Sequence, residues 1–409
     1  MLAVSDLLRL AREGEAAPVA RSPLRYGPAP AAPAVVVFNV CKHCNMRCPH
    51  CYAAASFQPS RHDLSTREAF RVLGELAAAG VKVVIFSGGE PLLRPDLLLL
   101  ARRARDLGLA PQLSSNGVLI TRSKADELVG AGFQYAGVSI DGRPDFNDAY
   151  RGLEHGFARA VEGLMNARAA GLRTGVRMTV TRMNADQLDD ILALAIELGA
   201  DRLYLSHLLY SGRARAMQPD DLDRELGRRF LAGVFERAER LLSHEVGPGI
   251  ATGGNDSDGA FLVTWLLERY GAAAAQRVQA LLEQRGGNSA GEKLICIDHR
   301  GRVRPDQFWD QGVLGDLREQ SLSDVLAHPL RSQLARRQEL LGGRCADCRF
   351  LALCRGSHRE RALAVHGDLW GPDPACVMTD QEVQREVQRE AEREAGTARG
   401  LEEVAHAVS

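Results

Sequence analysis

Val35-Val36-Val37-Phe38-Asn39-Val40-Cys41-Lys42-His43-Cys44-Asn45-Met46-Arg47-Cys48-Pro49-His50-Cys51-Tyr52 joins a mostly apolar run directly to four cysteines. A short continuous apolar run suits a strand buried on both faces, so 34–40 reads as one. The cysteines then lie on the loop leaving its C-terminal end, the face on which α/β barrels carry their sites. Cys44-x3-Cys48-x2-Cys51 offers three thiolates. Iron–sulfur clusters are usually held by four, so three leave one iron open. With Cys41 as a fourth ligand, the same loop could instead be a compact zinc site.

Outward from this loop the chain alternates. Apolar runs lie at 34–40, 82–87, 135–140, 174–181 and 201–206, with a less regular one at 109–115. Helical-period segments separate them, at 65–79, 96–107, 122–131, 154–169 and 187–199. Such alternation predicts a parallel sheet with right-handed crossovers. Six units fall short of a closed barrel, so the expected class is α/β, an open partial (β/α)6 barrel spanning 34–215. Residues 1–33 read as a lead-in, with a short amphipathic stretch from Leu2 to Arg12 and then an Ala/Pro-rich segment. Residues 216–293 form a helical connecting region, with stretches at 221–244 and 259–285 joined by the Gly-rich turn Gly247–Gly259. From 294 to 378 come a hairpin around Gly301, a helix near 321–340 and a second cysteine block. The tail, 379–409, repeats Glu and Arg at helical spacing (Glu382, Arg385, Glu386, Arg389, Glu390, Arg393), a face expected to stay solvated.

The balance of 51 basic against 52 acidic residues argues against a dedicated nucleic-acid binder or a polybasic membrane-surface protein. No apolar run reaches transmembrane length, and Asp6, Arg9 and Arg12 interrupt any signal-like start. A cytoplasmic protein is expected, in which clustered cysteines bind metal or do redox chemistry.

Cys44-x3-Cys48-x2-Cys51 followed by Tyr52 resembles the cluster motif of the radical S-adenosylmethionine (SAM) superfamily. Ser87-Gly88-Gly89-Glu90-Pro91 resembles its GGEP motif. Ser114-Ser115-Asn116-Gly117 and Ser139-Ile140-Asp141-Gly142 resemble segments facing the SAM ribose and carboxylate. All fall at predicted strand ends. The resemblance implies a 4Fe–4S cluster on Cys44, Cys48 and Cys51, with SAM at its open iron. It places Tyr52, Gly88, Gly89, Glu90, Ser114, Asn116, Ser139, Asp141 and Arg177 around SAM, with Gly88, Gly89 and Glu90 at its amino group. Thr179 is a further candidate, and Tyr210-Ser211-Gly212-Arg213 looks like the segment closing over the adenine. Cys41 is then a thiol beside the cluster, outside its ligand set. The implied chemistry is one-electron cleavage of SAM to a 5′-deoxyadenosyl radical that takes hydrogen from an unactivated carbon.

Cys345-x2-Cys348-x5-Cys354 and Cys376 resemble the C-terminal part of a SPASM domain, which carries auxiliary clusters. The fuller pattern has cysteine where this chain has Asp306 and His358. The remaining four cysteines imply one auxiliary 4Fe–4S cluster, with four-cysteine zinc the alternative. Asp306 and His358 read as polar replacements and Cys296 as a buried apolar residue.

Gly253-Gly254-Asn255-Asp256-Ser257-Asp258-Gly259, the stretch 291–298, Arg304-Pro305-Asp306-Gln307-Phe308-Trp309 and Tyr204-Leu205-Ser206-His207 are similar to the NirJ-type proteins of heme d1 biosynthesis. In the related siroheme-pathway heme synthases the position of Asp306 tends to be cysteine. The resemblance implies 12,18-didecarboxysiroheme as substrate, attacked at the propionates of rings A and B, the auxiliary cluster as an electron relay, and a flavodoxin or ferredoxin as donor. Arg177, Arg213 and Arg215 are candidate carboxylate partners. Phe308 and Trp309 could stack on the macrocycle or pack in the core. His207 is a candidate catalytic residue, to meet the substrate iron or donate a proton; the alternative is a hydrogen-bonded barrel histidine. Rival readings are the heme synthase, a SPASM-type peptide or sulfatase maturase, and a zinc-stabilised scaffold. Against the maturase stands the short, extended-looking stretch before Cys41.

Overall fold

The computed structural model describes residues 1–14, 27, 32–244 and 247–384. β1 (Val35–Cys41), β2 (Val83–Gly88), β3 (Ala110–Ser115), β4 (Tyr135–Ser139), β5 (Arg173–Val180) and β6 (Arg202–His207) follow one another in space, each parallel to the next. The six expected strands are therefore present, and the irregular run at 109–115 is a regular central strand.

Two further strands extend this sheet. β7 (Gly249–Gly253) joins β6 in parallel, inside the segment expected to be only a Gly-rich turn. β8 (Leu294–Ile297) joins β1 in parallel, and β9 (Arg302–Arg304) returns antiparallel on it, forming the expected hairpin. β10 (Gly315–Asp316) lies on the outside of β9. The order β10-β9-β8-β1-β2-β3-β4-β5-β6-β7 leaves β7 and β8 unpaired with each other, so the barrel stays open.

The crossovers are amphipathic helices. In Thr66–Ala78, residues Ala69, Val72, Leu73 and Leu76 form the buried stripe, and Ser65 with Glu68 closes a capping box at the start. An unexpected helix, Pro144–Arg151, follows β4. The stretch 259–285 breaks at Gly271, which takes φ 82°, into Ser257–Tyr270 and Ala272–Arg285. The expected helix near 321–340 is likewise cut, into Leu322–Leu326, Pro329–Ala335 and the turn Arg337–Glu339; a proline cannot continue the hydrogen-bond ladder of a preceding helix.

The two ends of the chain correct the sequence reading. Val4–Glu13 is a helix whose Val4, Leu7 and Leu8 are fully buried. It packs on β7 and on the helices Arg224–His244 and Ala272–Arg285, while Leu2 pairs with Thr252. This stretch belongs to the core and is more than a lead-in. Most of the Ala/Pro segment lies outside the described residues. In the tail, Glu382 grips Arg228 at 2.7 Å and Val383 is buried, so this turn is docked rather than solvated. Arg385 to Arg393 lie outside the described residues. Among the described residues no helix is long and apolar enough to cross a membrane.

Candidate active site

β1 and β2 pair from Val35 opposite Val83 to Asn39 opposite Ser87; the register then shifts by one residue, so that Cys41 stands opposite Gly88. The cysteine loop therefore leaves the sheet directly over Gly88-Gly89. The Gly89 N–H donates to Cys41 O at 2.8 Å and the Glu90 N–H to His43 O at 2.7 Å. A Cβ on Gly88 would stand 2.4 Å from Cys41 O, and one on Gly89 would stand 2.1 Å from His43 O. Both positions demand glycine because another backbone crosses them. The far side of the loop is clamped by Arg213, which donates to Cys48 O at 2.9 Å and Ala55 O at 2.6 Å.

Cys44, Cys48 and Cys51 lie on one loop, in which the Cys51 N–H donates to Cys48 O at 3.3 Å and the Cys44 N–H to Ser56 O at 2.8 Å. Burial pushes the Cys44 thiol up to about 12 and that of Cys48 to about 11. Left alone these thiols are neutral, so a bound cation would have to replace the proton. Donors already point at the sulfurs: Ala55 N–H lies 3.5 Å from Cys51 Sγ and Arg151 Nη1 lies 3.9 Å from Cys48 Sγ. This donor set fits a thiolate-held iron–sulfur cluster. Cys41 instead turns its thiol to Glu90 O at 3.3 Å and His43 O at 3.6 Å.

The strand ends hold the remaining candidates. Tyr52 Oη reaches Asn39 Oδ1 and Ser87 Oγ, both at 3.1 Å. Ser114 Oγ accepts from Arg177 Nη1 at 2.5 Å, and the guanidinium lies over the Tyr204 ring. Ser139 pairs with Arg177 across β4 and β5. Asn116 reaches back to Asn45 of the cysteine loop at 2.7 Å.

Several candidate side chains are engaged by partners within the protein. The fully buried Glu90 carboxylate accepts from Ser115 Oγ and Asn116 N–H at 2.8 Å and from Leu92 N–H at 3.1 Å. It ties β2 to β3, which leaves the segment's backbone as what a ligand's ammonium can meet. Asp141, also fully buried, accepts from Thr179 N–H at 2.8 Å and pairs with Arg151 at 2.6 Å and His50 at 3.2 Å. Burial lowers His50 to about 4, so its ring is neutral. Arg213 clamps the loop, and Arg215 pairs with Asp310 at 3.1 Å. His207 is buried and hydrogen-bonded to Asp258 at 2.9 Å, the barrel-histidine alternative. Burial disfavours its cation, but Asp258 outweighs that and holds its pKa above the usual value.

In the second block, burial pushes the Cys354 thiol well above its ordinary value, with smaller contributions in the same direction from Cys376, Cys345 and Cys348. All nine cysteines are free. Among the described residues no three His, Cys, Asp or Glu side chains converge as ligands of one ion. Asp306 and His358 are buried and bonded to each other at 3.0 Å. Cys296 is buried on β8 beside Asn39. Sequence reasoning missed Arg151, His50 and the buried pair Arg361–Asp373, 2.7 Å apart. No local signal pointed to Arg151, because the short helix that carries it, Pro144–Arg151, was not among the expected elements.

The model of the radical SAM superfamily matches residues 38–195. The chain is 37% identical over 354 residues to the pre-heme d1 synthase of Dinoroseobacter shibae, covering 85% of this chain and 87% of that one. It is 38% identical over 357 residues to the Fe-coproporphyrin III synthase of Methanosarcina barkeri, covering 85% and 89%. Among solved structures, Streptococcus suis SuiB bound to precursor peptide SuiA superposes with a TM-score of 0.68 at 17% identity, over 86% of this chain and 77% of that one. Native anSMEcpe with bound AdoMet gives 0.65 at 17%, over 90% and 99%. At such identity these two speak for the fold alone. The motif-bearing loop, the parallel sheet beneath it and the close sequence relatives agree: the chain is an enzyme that belongs to the radical SAM superfamily.

Proposed function

We propose that this enzyme acts on the propionate side chains of rings A and B of 12,18-didecarboxysiroheme, in heme d1 biosynthesis. The observation that carries this reading is the 37% identity, across most of both chains, to a protein named pre-heme d1 synthase. A second reading, a synthase of the Fe-coproporphyrin III type, is favoured by a 38% match of equal extent. The heme-synthase reading has 27% identity to an AdoMet-dependent heme synthase of Methanosarcina barkeri.

In this reading Cys44, Cys48 and Cys51 hold a 4Fe–4S cluster, and Cys345, Cys348, Cys354 and Cys376 hold an auxiliary one. When bound, the first cluster and SAM supply a carbon radical able to take hydrogen from an unactivated carbon. Gly88 and Gly89 let the backbone approach the methionine end of SAM, and Glu90 keeps that segment in place from behind. Tyr52, Ser114, Asn116, Ser139 and Arg177 orient the rest of SAM. The Asp141–Arg151 pair fixes the cysteine loop. A flavodoxin or ferredoxin in the cytoplasm is the proposed electron source, and residues 294–378 act as the auxiliary-cluster domain.

The test is anaerobic reconstitution, iron and sulfide counting, then incubation with dithionite, SAM and 12,18-didecarboxysiroheme under mass spectrometry. About eight irons and substrate-dependent 5′-deoxyadenosine with a mass-shifted tetrapyrrole are expected. The product mass separates the two readings. An untouched tetrapyrrole would overturn both, and zinc in place of iron would overturn the radical mechanism.

A further inference from the structure

We propose that His358, held by Asp306, is the protein ligand to the iron of the tetrapyrrole substrate; this rests on the reading above. His358 is 2% exposed and Asp306 3%. One ring nitrogen, Nε2, shares a 3.0 Å hydrogen bond with Asp306 Oδ2. The other, Nδ1, is buried and has no partner. Buried polar atoms are normally paired, and an unpaired one is costly, so this nitrogen calls for a ligand. An imidazole with one nitrogen on a carboxylate and the other free is the usual arrangement of a metal-binding histidine. Imidazole also suits iron.

The pair is held from several sides. Asp306 Oδ1 accepts from Phe308 N–H at 2.8 Å. The His358 backbone N–H donates to Asp373 Oδ2 at 3.0 Å, and Asp373 is locked by Arg361. Position then points to the substrate. The half-buried Phe308 ring stands edge-on to His358 at 5.9 Å and to Tyr52 at 5.2 Å. Tyr52 directly follows Cys51, so two aromatic rings, Phe308 and Tyr52, link the imidazole to the end of the cysteine loop.

Further unpaired polar atoms lie close to this pair in the chain. Trp309 Nε1 and Glu360 Oε2 are also buried without partners, and Arg215 lies 4.0 Å from Glu360. A guanidinium suits an acidic side arm, an imidazole suits the iron, and a half-buried phenyl ring suits a ring face. A cluster iron is a poorer candidate, because Cys345, Cys348, Cys354 and Cys376 already make a full set of four.

The experiment titrates the reconstituted wild type, His358→Gln, His358→Ala and Asp306→Asn with iron coproporphyrin III and with metal-free coproporphyrin III, followed by absorption and EPR. Glutamine can keep the bond to Asp306 while losing the free nitrogen. The wild type should show nitrogen-ligated iron. His358→Gln and His358→Ala should lose that signature and about tenfold or more of the affinity for the iron porphyrin alone. Added imidazole should restore the signature in His358→Ala. Asp306→Asn should keep a nitrogen ligand with a shifted spectrum. An unchanged iron spectrum in His358→Gln, an equal loss toward both porphyrins, or loss of cluster iron in that variant would each overturn the assignment alone. A wild type that binds neither porphyrin would overturn the tetrapyrrole reading and the assignment with it.

Discussion

The Arg151 guanidinium sits 2.6 Å from the Asp141 carboxylate and reaches Cys48 Sγ, 3.9 Å away, with another nitrogen. One buried cation thus joins the end of β4 to the cysteine loop. Burial works against its charge, but Asp141 and Cys48 outweigh that and raise its pKa above the ordinary value.

Arg151→Ala leaves the Asp141 carboxylate buried opposite neutral His50. Removing one partner of a buried pair costs about 3–5 kcal/mol. We expect a fall of that size in denaturant unfolding, together with poorer iron retention by the first cluster. A variant that unfolds like wild type and retains full iron would show that the pair does not anchor the loop.

Gly89→Ala forces a methyl against His43 O, a backbone atom that no rotamer change can move. Overpacking of this kind costs about 1–3 kcal/mol. The affected backbone carries the cysteines, so cluster loading should fall as well. Gly74→Ala is the control: nothing lies within 4 Å of its added Cβ, and it sits inside Thr66–Ala78. That change should stabilise by about 0.5–1 kcal/mol. Thermal melts and iron counts on both variants decide the matter.

Cys376→Ala should lower reconstituted iron from about eight to about four per chain, while Cys41→Ala should leave the count near eight. Equal losses in both variants would place Cys41 among the ligands.

Glu90 gives a pH signature. Burial raises its pKa from 4.5 to about 7, against the pull of Asn116, Ser115 and Leu92. Between those values the folded chain holds a proton that the unfolded chain has lost. Stability from this group is therefore full below about pH 4.5 and declines as pH rises towards 7. Glu90→Gln cannot titrate, so its unfolding free energy should fall less than that of wild type between pH 5 and 8. Parallel pH profiles for the two proteins would count against this.

Strand and helix periodicity, and the cysteine and glycine spacings, are properties of neighbouring residues. Six strands, their crossover helices and the cysteine loop at the end of the first strand could therefore be read from local pattern. The same pattern concealed β7, because Gly249-Ile250-Ala251-Thr252-Gly253 is short, glycine-bounded and becomes a strand only against β6. It also concealed the parallel docking of β8, since Val35 meets Leu294 across most of the chain.

The amino-acid sequence by itself determined the fold class, because a strand's apolar run and a crossover helix's periodic stripe are each written within a few residues. Only the tertiary structure decided the uses of the charged and polar groups. Glu90 ties two strands, Asp141 takes Arg151, His207 takes Asp258, and His358 takes Asp306. A buried polar side chain must find a partner, and which partner lies within about 3 Å depends on how distant segments pack.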